Sequence, residues 1–215
     1  MEAATIQRQD AARGQDPTRG EGERAGGWSP ADPGPLGLGA FAMTTFVLSM
    51  FNSNLVDAKG LPVVLGLALA YGGLVQLIAG IWEFRTGNTF GAVAFCSFGG
   101  FWISFWALNV FYAKDITGNA GHAVGVYLWA WAIFTAYMTI AALRVSGAVL
   151  LVFVLLTITF ILLAIGASGA HESLTHWGGY LGLATAAAAW YASAAAVTNS
   201  TFGRTVMPVF PLSGR

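Results

Sequence analysis

The side chains of greatest chemical interest in this sequence are uncharged polar groups that lie inside long apolar stretches. Hydroxyl and amide groups can replace part of the water around a small solute, whereas catalysis would require an acid, a base or a nucleophile beside them. In the first stretch, helical spacing puts Phe41, Thr44, Thr45, Leu48 and Asn52 on one face, which therefore mixes an aromatic ring with hydroxyls and an amide. Such a face is expected to contact another helix or a water-filled cavity and not lipid.

Polar positions of the same kind recur along the rest of the chain. Any single one could merely bond to a neighbouring helix, at about 1 kcal/mol. Taken together, they are typical of stripes that face a shared interior. The further positions are Ser49, Gln76, Ser97, Ser104, Asn109, Thr135, Thr139, Thr157 and Thr159.

Residues suited to catalysis or metal binding are scarce. The three histidines, His122, His171 and His176, fall in predicted loops. His171 and His176 are five residues apart, whereas zinc proteases place their two histidines four apart on one helical face. The single Cys96 excludes a disulfide within the chain, and the sequence has no glycine-rich phosphate loop. We therefore predict that the chain is not an enzyme and has no catalytic residue, no metal site and no cofactor.

Six apolar runs, none with an ionisable side chain, carry the polar positions. With 56% hydrophobic and 9% charged residues, the chain is far from the soluble average, in which about a quarter of residues are charged. Each run has about the 20 residues that a helix needs to cross a bilayer. The sequence therefore predicts an all-α membrane protein of six transmembrane helices in three consecutive hairpins. The runs are 36–56, 61–82, 90–111, 123–143, 147–166 and 177–197.

The segments outside the runs predict domain limits and an orientation. Residues 1–31 hold few bulky apolar side chains and are expected to form a disordered cytoplasmic tail, residues 32–203 the transmembrane pore domain, and residues 204–215 a short cytoplasmic tail. Eight of the ten lysines and arginines lie on the side of the two termini, which predicts that both termini are cytoplasmic and favours the plasma (inner cell) membrane. A formal net charge of zero, without a basic cluster, argues against a nucleic-acid partner.

A faint repeat links the odd-numbered runs. Each run places a bulky apolar residue beside a hydroxyl group. Phe41 precedes Thr44 and Thr45, Phe98 follows Ser97, and Leu156 precedes Thr157. If the repeat is structural, each hairpin contributes one wall of a common path.

A path lined by hydroxyls, amides and aromatic rings, without fixed charge, suits a small polar solute. Metal cations usually need rings of carboxylates or carbonyls, and a proton relay needs a chain of ionisable groups within the membrane. Small weak acids, crossing as the neutral acid or as a largely dehydrated anion, fit such a path. Two alternatives remain open: a channel for a neutral solute such as ammonia or water, and a membrane sensor or scaffold that transports nothing.

The start of the first run resembles a known signature. Residues 32–38, Asp-Pro-Gly-Pro-Leu-Gly-Leu, are similar to the Asn-Pro-x-Pro-Leu-Gly-Leu motif of the acetate uptake transporters, the succinate/acetate permease family. The resemblance extends over about residues 32–208. Further matches follow in order at 71–73, 76, 79–80, 83–84, 87–91, 94–95, 97–98, 101–102 and 202–208.

This resemblance implies a six-helix protomer in a ring-shaped homohexamer, with a pore through each protomer for acetate and related short monocarboxylates, sometimes succinate. It also implies that an apolar pore constriction is formed by Phe41, Phe98 and Leu156. We predict that the substrate path includes Thr44, Thr45, Asn52, Gln76, Ser97 and Thr157.

The pore entrance is predicted at the end of the second run, at Glu83 and Arg85. These two side chains could guide substrate, or they could form a local ion pair that anchors the helix end. Three positions depart from the pattern that the resemblance implies. Asp32 replaces the first Asn of the signature, Phe98 stands where Tyr is frequent, and Phe51 stands where some members carry His.

Overall fold

The structure, a computed structural model, describes residue 28 and residues 30–212. Within these residues it has six helices that are long and apolar enough to cross a membrane, which confirms the predicted all-α architecture. The ring-shaped hexamer stays a prediction, and most of the predicted N-terminal tail lies outside the described residues. The helices are α1 (Gly34–Asn52), α2 (Ala58–Thr86), α3 (Thr89–Asp115), α4 (Ala120–Ala142), α5 (Gly147–Gly169) and α6 (Glu172–Phe202).

All six helices extend past the uncharged runs that predicted them, at one end or at both. Helix α2 continues through Glu83 and Arg85, and α6 begins at Glu172. The prediction that all three histidines lie in loops is wrong for His122 and His176, which lie near the starts of α4 and α6. The physical reason is that backbone hydrogen bonding continues through polar residues until a capping residue or a glycine ends the helix.

Local sequence signals set most helix ends. Asn88 caps α3 by accepting a hydrogen bond from Gly91 N at 3.0 Å, and Asn119 caps α4 in the same way through His122 N. Ser146 caps α5 through Val149 N at 3.3 Å. Helix α2 ends at Gly87, whose φ of 78° is accessible to glycine at little cost. These short connections keep successive helices antiparallel.

Two helices contain a π-helical turn, in which the backbone accommodates an extra residue. In α2 the π turn covers Ala70–Val75, and in α3 it covers Leu108–Tyr112. Because each residue advances a helix by about 100°, the turn in α2 fixes which side chains after it face the bundle interior.

Small residues let the helices approach closely. Gly182 of α6 lies against Ser49 of α1, and Gly72 of α2 lies against Thr44 of α1. Helices α4 and α5 are joined by a hydroxyl pair, Thr139 Oγ1 to Thr157 Oγ1, at 2.9 Å. Because lipid offers no hydrophobic force between helices, such close backbone contacts and interhelical hydrogen bonds hold the bundle together.

The chain after α6 folds back onto the bundle. Phe210 O and Val209 O accept hydrogen bonds from Gly147 N and Ala148 N, at 2.7 and 3.2 Å. Asn199 in the last turns of α6 bonds to Val206 N, Met207 N and Met207 O. Residues 204–212 of the predicted C-terminal tail are therefore docked over the start of α5. We call the end of the bundle that carries this segment and Asp32 the proximal end, and the opposite end the distal end.

Gly179→Ala is expected to destabilise the pairing of α1 with α6. The new Cβ would overlap the backbone of Asn52 and Ser53, which cannot rotate away as a flexible side chain would. We expect a loss of about 1–3 kcal/mol, measured as a lower midpoint of thermal unfolding in detergent.

The matched control is Gly66→Ala, whose Cβ would meet no atom within 4 Å. It should leave the midpoint unchanged or raise it. An equal decrease in both variants would contradict the role given to the Gly179 contact.

Candidate functional site

Two separate cavities enter the helix bundle from its opposite ends. The distal cavity has a volume of about 340 Å³ and the proximal cavity about 200 Å³. Residues from α1, α3 and α5 line both. The two cavities therefore follow one line through the bundle.

The distal cavity combines aromatic walls with neutral polar groups. Its polar lining consists of hydroxyl and amide side chains from α1, α3, α4, α5 and α6, and no charged side chain lines it. Thr45 and Trp102 form part of this wall, and Thr45 Oγ1 and Trp102 Nε1 are buried without a hydrogen-bond partner. The polar lining residues are Thr45, Ser49, Asn52, Asn109, Tyr127, Thr159 and Thr175.

The proximal cavity is smaller and carries carboxyl groups. Asp32 stands at its mouth, and Asp32 Oδ1 accepts a hydrogen bond from Gly34 N at 2.8 Å. Glu83 forms part of the wall and is 1% exposed. Asn88 and Ser146 complete the polar lining. The two cavities thus differ in charge as well as in size.

A thin apolar layer separates the cavities. On α1 the lining passes from the proximal cavity at Leu38 to the distal cavity at Phe41, and on α5 it passes from Phe153 to Leu156. On each helix the lining changes from one cavity to the other within three residues. This distance is less than one helical turn, which rises about 5.4 Å. A solute that crosses this layer must leave behind nearly all of its water.

Phe98 fills the centre of this layer. Its ring centroid lies 5.6 Å from that of Phe41, 5.4 Å from Phe134 and 6.1 Å from Phe153. Phe41, Phe98 and Leu156 belong to one buried cluster and are 5%, 3% and 4% exposed. The structure therefore brings together the three residues predicted for the constriction. We call Phe41, Phe98, Phe153 and Leu156 the apolar barrier.

The residues predicted for the path divide into two groups. Thr45 and Asn52 line the distal cavity, and Glu83 lines the proximal one. Four others line neither cavity. Of these, Thr44 Oγ1 donates to Ala40 O at 2.9 Å, Thr157 pairs with Thr139 between helices, and Ser97 is half-buried. Gln76 is fully buried, and neither Nε2 nor Oε1 has a partner.

Arg85 is exposed and lines neither cavity. The hydrogen-bond partner of the Glu83 carboxylate is Thr86, with Oγ1 3.1 Å from Oε2, and not Arg85. The local ion pair considered as an alternative for these two residues is therefore not formed.

Several lining residues were not selected from the sequence. Ser49, Asn109 and Thr159 appear there as polar positions, and Asp32 as an unusual residue of the signature, but none was placed on the path. Thr159, which lines the distal cavity, lies only two residues from Thr157. Because α5 is apolar on all sides, its hydropathy gives no signal for which threonine faces inward.

The described residues contain no group of three or more His, Cys, Asp or Glu side chains placed to hold a metal ion.

Comparisons with known proteins agree on one family. The profile described as "GPR1/FUN34/yaaH family" matches residues 27–214. "Ammonia transport outward protein 2" of Saccharomyces cerevisiae is 45% identical over 175 residues, which cover 79% of this chain and 62% of that protein. The chain therefore spans less than two thirds of the length of this yeast relative.

Two bacterial comparisons cover nearly the whole relative. "Succinate-acetate/proton symporter SatP" of Escherichia coli is 39% identical over 181 residues, 83% of this chain and 95% of that protein. The solved structure described as "Structure of the bacterial acetate channel SatP" superposes with a TM-score of 0.78 at 38% identity, covering 84% of this chain and 99% of that one.

Phe98→Ala is expected to open a water path between the cavities, because it removes the ring that contacts Phe41, Phe134 and Phe153. The osmotic water permeability of proteoliposomes, followed by stopped-flow light scattering, should rise severalfold. Phe98→Leu should give an intermediate rise.

The matched control is Phe84→Ala, since Phe84 is 65% exposed and lines neither cavity. A buried Phe→Ala change can cost about 3–5 kcal/mol, so each variant is first checked for a single peak in gel filtration. Unchanged permeability in both folded Phe98 variants would contradict the barrier.

Proposed function

Because this chain belongs to the GPR1/FUN34/yaaH family, we propose that it conducts acetate and related short monocarboxylates across a membrane. The observation that carries the proposal is the pair of cavities that meet at the apolar barrier, in a fold shared with an acetate channel at 38% identity. The proposed path runs from the distal cavity, past Phe41, Phe98 and Leu156, into the proximal cavity.

The physical basis of selectivity is the difference between cavities and barrier. The neutral polar groups of the distal cavity replace part of the hydration of a carboxyl group, and the unpartnered Thr45 Oγ1 and Trp102 Nε1 are two such groups. The barrier offers only rings and a leucine side chain, so an inorganic ion would cross it without compensation for its lost water. A short acid passes more readily because its methyl group gains contacts there.

The outer surface of the bundle is consistent with a membrane location and with assembly of several copies of the chain. Side chains on the outer surface of α2 are large and apolar, with Ile81 56% and Phe84 65% exposed, as expected for contact with lipid or with other copies of the chain. We extend the proposal to a homohexamer in the plasma membrane with both termini cytoplasmic and no catalytic activity. Succinate is included as a second substrate, since the name of the Escherichia coli relative contains it.

Ammonia conduction is the second candidate function. It is favoured by the name of the 45% identical yeast relative and by a distal cavity that no charged side chain lines. A scaffold without transport is disfavoured because it requires no pair of aligned cavities.

Uptake by proteoliposomes separates these functions. Labelled acetate should enter faster than into protein-free liposomes, and unlabelled short monocarboxylates should compete. Uptake of labelled methylammonium alone would favour ammonia conduction, and uptake of neither solute would favour a scaffold.

Phe41→Ala is expected to widen the barrier, because the Phe41 ring lies at the boundary of the distal cavity and contacts Phe98. Acetate flux should rise, or discrimination against succinate should fall, severalfold. The measurement is labelled uptake of both acids by the same proteoliposomes.

Phe46→Ala is the matched control, because Phe46 lies on the same helix, packs on Trp190 and lines neither cavity. It should leave both uptake rates unchanged. Wild-type acetate flux together with wild-type succinate discrimination in Phe41→Ala would argue against the constriction.

A further inference from the structure

Glu83 is an unusual residue for the wall of a membrane cavity. It is 1% exposed, with Thr86 Oγ1 3.1 Å from Oε2 and the Asn88 side chain also close to the carboxyl group. Oε1 is buried and has no hydrogen-bond partner. A carboxyl group with a purely structural role is expected to have both oxygens bonded, so the free oxygen indicates a ligand.

Two glycines leave the space that Oε1 occupies. A Cβ added to Gly91 would lie 2.7 Å from Glu83 Oε1, and one added to Gly34 would lie 3.4 Å from it. Both glycines line the proximal cavity. Oε1 is therefore packed between the start of α1 and the start of α3, in the wall of the proximal cavity.

A second carboxyl group approaches the same point. The Cβ position at Gly34 lies 3.0 Å from Asp32 Oδ1, so the two carboxyl groups are near neighbours. Each of the other elements around the cavity contributes neutral side chains: Asn88 before α3, Ser146 before α5, Ala192 on α6 and Val209 of the C-terminal segment. Arg85 and Arg144 are exposed and line neither cavity.

This environment disfavours ionisation of both Asp32 and Glu83, and it favours a state in which one of the two carboxyl groups holds a proton. An ionised carboxylate that is buried without a cation and beside another carboxylate is costly. A bound carboxylate would add a third negative charge beside Asp32 and Glu83. It is accommodated only if one of these two carboxyl groups is protonated, because a protonated carboxyl group can donate a hydrogen bond to it. Glu83 is the group placed to donate it, because its side chain forms part of the cavity wall and Oε1 has no hydrogen-bond partner.

We propose that Glu83 is the proton-carrying group that binds the carboxylate of the substrate in the proximal cavity. The inference rests on the proposed function and adds a residue and a protonation step to it. Glu83 takes up a proton from water on the proximal side, and its Oε1–H donates to a carboxylate oxygen of the substrate. The proton then passes to the substrate, which crosses the barrier as the neutral acid and leaves Glu83 ionised until it is protonated again.

In the opposite direction the neutral acid gives its proton to Glu83 and leaves the cavity as the anion, and Glu83 releases the proton to the proximal solution. One proton therefore accompanies each carboxylate. This step also explains why the barrier needs no polar group, since the species that crosses it is uncharged.

The test compares labelled acetate uptake by wild type and Glu83→Gln at the same pH inside and outside, from about pH 5 to 8. The ratio of the two rates cancels the change in acetate protonation. At low pH the wild type should be severalfold faster, because Glu83→Gln keeps a hydrogen-bond donor but has no proton to transfer. As pH rises and Glu83 loses its proton, the ratio should fall towards one, because the Gln amide keeps its donor at every pH.

The controls isolate the transferable proton. Glu172→Gln changes an exposed carboxyl that lines neither cavity, and its uptake should follow the wild type at every pH. Glu83→Asp keeps a transferable proton and should restore part of the pH dependence that Glu83→Gln lacks. A purely structural role for Glu83 would lower uptake without changing the pH profile.

Infrared spectroscopy gives a second measurement that needs no transport. The carbonyl band of a protonated carboxylic acid should be present in the wild type and in Glu172→Gln, absent in Glu83→Gln, and shifted by added acetate.

A wild-type to Glu83→Gln ratio that is independent of pH, or no such band at a pH where the wild type takes up acetate, would overturn the inference while leaving the proposed function intact. A wild type that takes up no acetate at any pH but binds it with a shift of the band would overturn only the proposed function.

Discussion

The packing of rings around Phe98 is the contact on which the rest of the structure depends. It holds α1, α3, α4 and α5 together through Phe41, Phe134 and Phe153, and it keeps the two cavities apart. Aromatic side chains suit this position because each fills a large volume with few rotatable bonds. A layer of the same thickness made of flexible side chains would be a weaker barrier to water. The close helix contacts at glycines bring the rings into reach of one another.

The two cavities differ in the chemistry that each contributes to the proposed path. The distal cavity is larger and has only neutral polar lining, so it can replace hydration without attracting counterions. The proximal cavity brings two carboxyl groups together where α1, α2 and α3 meet, and the docked C-terminal segment contributes Val209 to its wall. A solute that entered from the distal end would therefore meet neutral polar groups first, and one that entered from the proximal end would meet carboxyl groups first.

The sequence predicted the architecture, whereas the constriction and the substrate path stay predictions that the structure supplies with positions. Six uncharged runs were sufficient to predict six helices, and the signature at residues 32–38 led to Phe41, Phe98 and Leu156, which the structure packs into one cluster. The sequence could not show which of Thr157 and Thr159 faces the cavity. The helix is apolar on every side, so its hydropathy pattern does not indicate which side faces inward. Glu83 was placed at an entrance, since the uncharged run ends one residue earlier, and its burial depends on space left by Gly34 and Gly91. The docking of residues 204–212 depends on Asn199 and on backbone groups near Ser146, for which composition gives no signal.

The π turn at Ala70–Val75 determines how the position of Glu83 responds to a change in chain length. Because this turn accommodates one extra residue, deleting a residue within it would return the segment to ordinary α-helix and leave the remainder of α2 facing nearly the same way. A deletion between residues 76 and 82, which are ordinary α-helix, would instead rotate everything after it by about 100° and turn the Glu83 side chain away from the proximal cavity. A one-residue gap therefore has opposite structural consequences on the two sides of Gln76.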